Sequence, residues 1–102
     1  MSTKVYTIEE LSKKISNILA GFPVEKAILF GSYAKGYATP KSDVDLVINS
    51  QNKIRGFDFF GLRSVLEEKL NKNVDLIEEA HIIKGTKADR EVRKTGVIIY
   101  GE

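Results

Sequence analysis

Between two short apolar runs the chain reads Gly31-Ser32-Tyr33-Ala34-Lys35-Gly36-Tyr37-Ala38-Thr39-Pro40-Lys41-Ser42-Asp43-Val44-Asp45. The run before it, residues 27–30, ends at a glycine and is typical of a buried strand, and residues 44–48 form an apolar run that predicts a second strand. Residues 32–37 are predicted to form a turn or two of helix, and residues 39–42 a loop. The pattern therefore places a Gly-Ser pair at the end of one strand and an Asp-x-Asp pair at the head of the next.

Outside this segment, helical and strand patterns alternate along the chain. A capping-box signature, Thr7-Ile8-Glu9-Glu10, marks the start of the first helix. Apolar or charged residues at helical spacing indicate the other helices. The predicted helices cover residues 8–20, 57–71 and 87–95, and two further strands cover residues 73–77 and 97–100. This alternation predicts an α/β or α+β sheet with helices packed on it.

Composition limits the classes of protein that the chain can belong to. Its 102 residues have room for one domain, and the net charge of +2, with both signs interspersed, gives no sign of a basic face for nucleic acid. The absence of cysteine excludes disulfides and cysteine-ligated zinc. Residues 1–5 lack the apolar core of a signal peptide, and no apolar stretch approaches the ~20 residues of a membrane span. We therefore expect a soluble, cytoplasmic protein that binds neither membranes nor nucleic acid directly.

The Gly-Ser turn has the chemistry of a phosphate site. Gly31 lets an anion approach the backbone, and Ser32 offers a hydroxyl and an N–H where a helix begins. Lys35 lies over the same helical turn, where it could add positive charge or be solvated. The spacing of Gly31 and Gly36 matches a P-loop, but residues 37–38 are Tyr-Ala where that motif requires Lys and Ser or Thr, so a Walker NTPase is excluded. Taken alone, a Gly-Ser pair after a strand marks an ordinary tight turn more often than a phosphate site.

The carboxylates add a metal site to this turn. Residues two apart in an extended segment share a face, which places Asp43 and Asp45 together, about 7 Å apart at Cα. Asp75 occupies the same kind of position in residues 73–77, a strand that could lie about 4.8 Å away beside residues 44–48. Three carboxylates gathered this way would suit two divalent metal ions. An isolated Asp-x-Asp is usually a solvated turn, but two charged side chains at the head of an apolar strand are costly unless a cation meets them.

The combined motif resembles the signature of the nucleotidyltransferase superfamily related in fold to DNA polymerase beta. The similarity covers about residues 24–100 and is strongest to the minimal nucleotidyltransferases, or MNT proteins, of bacteria and archaea. The resemblance implies a small mixed β-sheet with helices packed on it, a nucleotidyltransferase fold, as one minimal domain over residues 1–102. The departure from the usual pattern is Lys35, where an arginine is common.

The resemblance also implies a mechanism. Gly31 and Ser32 would hold the β- and γ-phosphates of ATP, with Lys35 adding charge. Asp43 and Asp45 would bind two Mg²⁺ ions, and Asp75 would bind one of them and help to activate the attacking hydroxyl.

In the MNT family the usual partner is a HEPN-domain RNase toxin, which the MNT protein silences by transferring AMP to a tyrosine. We expect that antitoxin role here, with the two proteins forming a complex. Larger relatives carry an added domain for the acceptor; no such domain is recognisable within the 102 residues, so the acceptor surface is expected from a partner or an open face. Two alternatives remain open: an antitoxin that only masks its partner, and nucleotidyl transfer to a small molecule or an RNA end.

Several aromatic residues and the lone histidine have plainer interpretations. Tyr33 and Tyr37 could stack on a base or pack on the short helix. His81 is expected on the surface of a connecting loop. The phenylalanines at positions 57, 59 and 60 are predicted to be core residues, with one of them partly exposed, and the charged helix over residues 87–95 is predicted to be solvated.

Overall fold

A computed structural model describes residues 4–101; residues 1–3, part of the N-terminal segment considered above, and residue 102 lie outside the described part. The elements alternate as the sequence predicts. They are α1 (Ile8–Leu19), β1 (Lys26–Phe30), α2 (Gly31–Lys35), β2 (Val44–Asn49), α3 (Phe57–Leu70), β3 (Val74–Glu78), a 3₁₀ turn (Glu79–His81), α4 (Lys87–Thr95) and β4 (Val97–Tyr100).

The four strands form one mixed sheet in the order β3-β2-β1-β4. β1 is antiparallel to both β2 and β4, whereas β2 and β3 are parallel. A parallel pair needs a long crossover, and α3 supplies it. The predicted neighbourhood of the second and third strands is confirmed, as is the mixed sheet with helices.

The two faces of the sheet differ in character. The core face carries Val44, Leu46 and Ile48 of β2, which are buried with the apolar sides of α1 and α3 in the main hydrophobic cluster. The pocket face carries Asp45 and Val47, and Val47 lies in a smaller cluster formed by the side chains Ile28, Phe30, Val47, Ile77, Ile82, Ala88 and Val92. Strand alternation thus separates the packing residues from the carboxylate.

Local sequence signals account for the helix ends. Thr7 and Glu10 form the predicted capping box: the Thr7 side chain accepts from the Glu10 N–H and Glu10 Oε1 accepts from the Thr7 N–H. α2 ends at Gly36, whose φ of 86° is left-handed and whose N–H donates to the Ser32 carbonyl.

Two predictions about packing are wrong. Phe57 is 94% exposed and Phe60 61% exposed, and only Phe59 packs against the core. The reason is that α3 has apolar residues on more than one side, and Leu62, Leu66 and Leu70 take the buried side. The charged helix α4 is not simply solvated either, because Ala88 and Val92 pack on the pocket face of the sheet.

No helix within residues 4–101 combines the length and the apolar character needed to cross a membrane.

Candidate active site

Asp45 and Asp75 are brought together by strand pairing. They lie directly opposite each other in the parallel pair β2–β3, so both side chains belong to the pocket face. Phe30, the last residue of β1, is the partner of Asp45 on the other side. The sheet therefore places Phe30, the residue just before the Gly-Ser turn, in one row with the two aspartates of the neighbouring strands.

A pocket of about 460 Å³ opens over this row. We call it the carboxylate pocket; its lining residues are Phe30, Gly31, Ser32, Tyr37, Asp45, Asp75, Lys87, Ala88 and Glu91. One wall comes from the β1–α2 turn, the floor from β2 and β3, and the opposite wall from α4. The sequence predicted six phosphate-binding or metal-binding residues, and four of them line this pocket: Gly31, Ser32, Asp45 and Asp75.

Gly31 fits against Asp45 because it has no side chain. Its φ is 74°, a left-handed conformation, and a Cβ at this position would overlap the Asp45 carboxylate. Glycine is therefore required for two reasons: it adopts the left-handed conformation, and it leaves room for the Asp45 carboxylate. Ser32 follows in the first turn of α2, which receives no hydrogen bond from a capping side chain.

The electrostatics of Asp45 show an excess of negative charge. Its pKa is raised to about 6, first by burial and then by repulsion from Asp75, Asp43 and Glu91, while Lys87 acts in the opposite direction. A cation placed near Asp45 would relieve this repulsion and favour the ionised carboxylate.

Asp43 lies outside the lining of the carboxylate pocket. It is exposed and immediately precedes β2, in a loop that the buried Lys72 holds by donating to the Pro40 carbonyl (2.8 Å). Ser42 also fixes the loop, since its hydroxyl accepts from the Thr39 N–H (2.9 Å). Within residues 4–101 no three His, Cys, Asp or Glu side chains are already grouped closely enough to hold a metal ion.

Lys35 points to α4. Its Nζ forms an ion pair with Glu91 Oε1 at 2.5 Å and lies 5.8 Å from the centre of the Tyr37 ring. The hydrogen bond to Glu91 is the main cause of a raised pKa for Lys35. Glu91 lines the pocket and Lys35 does not, so the ion pair ties Lys35 to the α4 wall of the pocket.

Lys87 and Glu91 are pocket residues that the motif did not reveal. They lie one helical turn apart on α4, which puts them on the same side of the helix. The sequence does show their i, i+4 spacing, but it does not show that α4 packs across β1 and β2. Of the two tyrosines considered for base stacking, Tyr33 is buried in the main core and Tyr37 is exposed at the pocket.

With this geometry established, the chain can be compared with known proteins. Residues 13–102 match the family model described as Polymerase beta, Nucleotidyltransferase. The chain belongs to this family. The "Putative protein adenylyltransferase MJ0435" of Methanocaldococcus jannaschii is 36% identical over 69% of this chain and 75% of its own length.

Solved structures show the same fold at lower identity. A toxin–antitoxin complex with AMP-PNP contains a chain that superposes with a TM-score of 0.77 and 24% identity, over 89% of this chain and 73% of that one. A complex of a tri-AMPylated HEPN toxin of Shewanella oneidensis with an MNT antitoxin gives a TM-score of 0.72 and 20% identity, over 94% and 74%. The protein is a nucleotidyltransferase, the predicted superfamily is confirmed, and the MNT antitoxin of the Shewanella complex shares its fold.

Proposed function

We propose that this nucleotidyltransferase uses Mg²⁺ to move AMP from ATP to a tyrosine hydroxyl of a HEPN-domain toxin and thereby acts as its antitoxin. The observation that carries the proposal is the pairing of Asp45 with Asp75 in a pocket that also presents Ser32 and Lys87. Carboxylates for a metal and donors for phosphate are the two things that the reaction needs. Relatives named as protein adenylyltransferases and similar folds in toxin–antitoxin complexes agree with it.

The residues present suit Mg²⁺. It prefers oxygen ligands and is usually held by one or two carboxylates together with substrate phosphates rather than by a closed protein cage. Asp45 and Asp75 supply two such carboxylates, and the repulsion that raises the pKa of Asp45 is relieved by a cation. We assign Asp45 and Asp75 as metal ligands, with the phosphates of ATP, and Asp43 as the third carboxylate for two ions; Asp43 lies outside the pocket but its charge acts on Asp45, so its side chain would have to turn inward when metal binds. Bound there, the metal would stabilise the attacking and leaving oxygens.

The remaining pocket residues position the nucleotide. Gly31 and Ser32 offer backbone N–H groups and a hydroxyl to the β- and γ-phosphates, and Lys87 faces them from α4 as a positive charge. Lys35 can join them only by leaving Glu91. Tyr37, exposed at the rim, offers a ring face to the adenine base.

The acceptor would enter from the open side of the sheet. Asp75 lies on the edge strand β3 and is exposed, so a hydroxyl from another protein can reach it. In the transfer, the tyrosine oxygen bonds to the α-phosphorus, its proton passes to Asp75 or to water, and the bond to the β-phosphate oxygen breaks to release pyrophosphate. Asp75 thus has a positioning and proton-accepting role at the acceptor side.

The experiment is to incubate the purified chain with Mg²⁺, ATP and the product of the neighbouring gene, tested as the HEPN-domain partner, and to record the intact mass of both proteins. We expect the partner to gain one or more AMP groups on tyrosine and to lose its toxicity. Asp43→Ala/Asp45→Ala should abolish both effects, whereas the control Glu68→Ala, at an exposed α3 position that lines none of the pockets described, should leave them unchanged. Neutralisation that survives in the double variant would instead establish masking, and AMP found only on RNA or a small molecule would overturn the assigned acceptor.

A further inference from the structure

An apolar groove lies on the side of the molecule opposite the carboxylate pocket. It consists of two adjoining pockets of about 420 and 350 Å³ that share Phe22 and Val65. The first is lined by Lys14, Asn17, Ile18, Phe22, Val65 and Lys69, and the second by Phe22, Pro23, Lys53, Ile54, Phe57, Asp58, Gly61 and Val65. We call their union the α1–α3 groove.

The α3 wall of the groove leaves large apolar surface exposed. Phe57 is 94% exposed, and Phe57, Gly61 and Val65 follow one another at four-residue spacing along the outer side of the helix. Gly61 costs a mid-helix position about 1 kcal/mol relative to alanine. A Cβ at Gly61 would meet nothing within 4 Å, so packing within the described chain gives no reason for this glycine. A small residue between two large apolar ones lets a second helix approach closely.

The charges around the groove identify the occupant. Lys14, Lys53 and Lys69 lie along it, are exposed and form no ion pair within residues 4–101, and Asp58 is the one acidic side chain among the described lining residues. A second copy docked face to face would bring these lysines against their own counterparts, which is unfavourable. An amphipathic helix with acidic residues beside its apolar stripe would place the stripe in the groove and the carboxylates next to the lysines.

We propose that the α1–α3 groove docks an amphipathic, acidic-edged helix of a partner protein. Such helix-in-groove recognition uses apolar anchors at i, i+3, i+4 and i+7. Because α1 and α3 cover the core face, a partner bound there leaves the carboxylate pocket open. The inference goes beyond the proposed function and does not depend on nucleotide transfer.

The test uses a designed helical peptide with leucines on one side and glutamates along both edges, and a matched peptide with lysines in place of the glutamates. Fluorescence anisotropy of the labelled peptides is recorded with the full chain at physiological salt, where exposed charges are partly screened. We expect the glutamate peptide to bind at least about tenfold more tightly than the lysine peptide. Lys14→Glu/Lys69→Glu should reverse this preference.

Gly61→Leu fills the groove and improves helix propensity, so it should fold and yet weaken peptide binding about tenfold or more. Ser64→Leu adds the same side chain at an exposed α3 position that lines neither pocket and should bind normally. Asp43→Ala/Asp45→Ala should also bind the peptide normally, which separates this result from the proposed function. Equal binding of both peptides, or binding indifferent to Gly61→Leu, overturns the proposal. So does a wild-type dimer in sedimentation that Gly61→Leu converts to monomer, because a second copy would then be the occupant.

Discussion

The carboxylate of Asp45 occupies the space that a side chain at position 31 would need. This contact joins the two halves of the motif, because Gly31 directly follows strand β1 and Asp45 lies in the neighbouring strand β2, opposite Phe30. The Gly-Ser turn proposed to bind phosphate and the carboxylate proposed to bind metal are therefore in direct contact. A change in either residue alters the position of the other.

Gly31→Ala is expected to lower the free energy of unfolding by about 2 kcal/mol or more, because it adds steric overlap with Asp45 to the cost of a left-handed alanine. Gly36→Ala is the matched control: Gly36 is also left-handed, at φ 86°, but has open space around it. Its cost should be about 1 kcal/mol and its ATP affinity should stay near wild type. Urea unfolding and ATP titration of both variants provide the measurement. Equal effects of the two changes would contradict the packing argument.

Asp45 should make the stability depend on pH. Its pKa in the folded protein, about 6, lies above the ordinary value of 3.8, so the folded state binds this proton more tightly than the unfolded state. The stabilising contribution is therefore complete below about pH 4 and is lost as the pH rises through 6. Without metal, Asp45→Asn should be more stable than wild type at pH 7.5 by about 1–2 kcal/mol, allowing for solvent screening, and nearly equal to it at pH 4. Urea unfolding at the two pH values checks this, and an Asp45→Asn protein that is less stable at pH 7.5 would refute it.

Lys87→Ala should weaken ATP binding about tenfold, since it removes the positive charge that faces Ser32 across the pocket. Lys84→Ala is the control: Lys84 is exposed in the loop before α4 and does not line the pocket. Isothermal titration with ATP and Mg²⁺ compares them. If both variants lose affinity equally, only the general charge of the region matters and Lys87 has no place in the site.

Glu91→Gln should strengthen ATP binding by about two- to fivefold, because it removes a negative charge from the pocket wall and releases Lys35 toward the phosphates. The gain should be smaller in Lys35→Ala/Glu91→Gln, since the released lysine is then missing. Titration of the two single variants and the double variant gives the coupling between the two sites. An equal gain with and without Lys35 would show that this lysine only anchors α4.

The sequence predicted the element order and the contents of the motif because both are local properties. The positions of Asp45 in β2 and Asp75 in β3 identified them as candidate site residues. They meet because these two strands are neighbours in the sheet. Lys87 and Glu91 escaped prediction because their place depends on how α4 packs across the sheet, a contact between residues far apart in the chain. Lys35, for example, meets Glu91 56 residues later.

The exposure of α3 was missed for a different reason. Helical periodicity identifies apolar stripes but does not say which stripe faces the core when a helix has more than one. The leucines at positions 62, 66 and 70 are buried, which leaves Phe57 and Phe60 outside. Which apolar side of α3 stays exposed is therefore known only from the structure.

We propose that this pocket transfers the nucleotidyl group of ATP to a protein. Parallel reactions with ATP labelled at the α-phosphate and at the γ-phosphate, each with Mg²⁺ and the product of the neighbouring gene as the HEPN-domain partner, test this most directly. We expect label on the HEPN protein from the α-labelled ATP alone, with the γ-label recovered in pyrophosphate, and no label with Asp43→Ala/Asp45→Ala. Label from the γ-phosphate, or none on the protein from either, would contradict it.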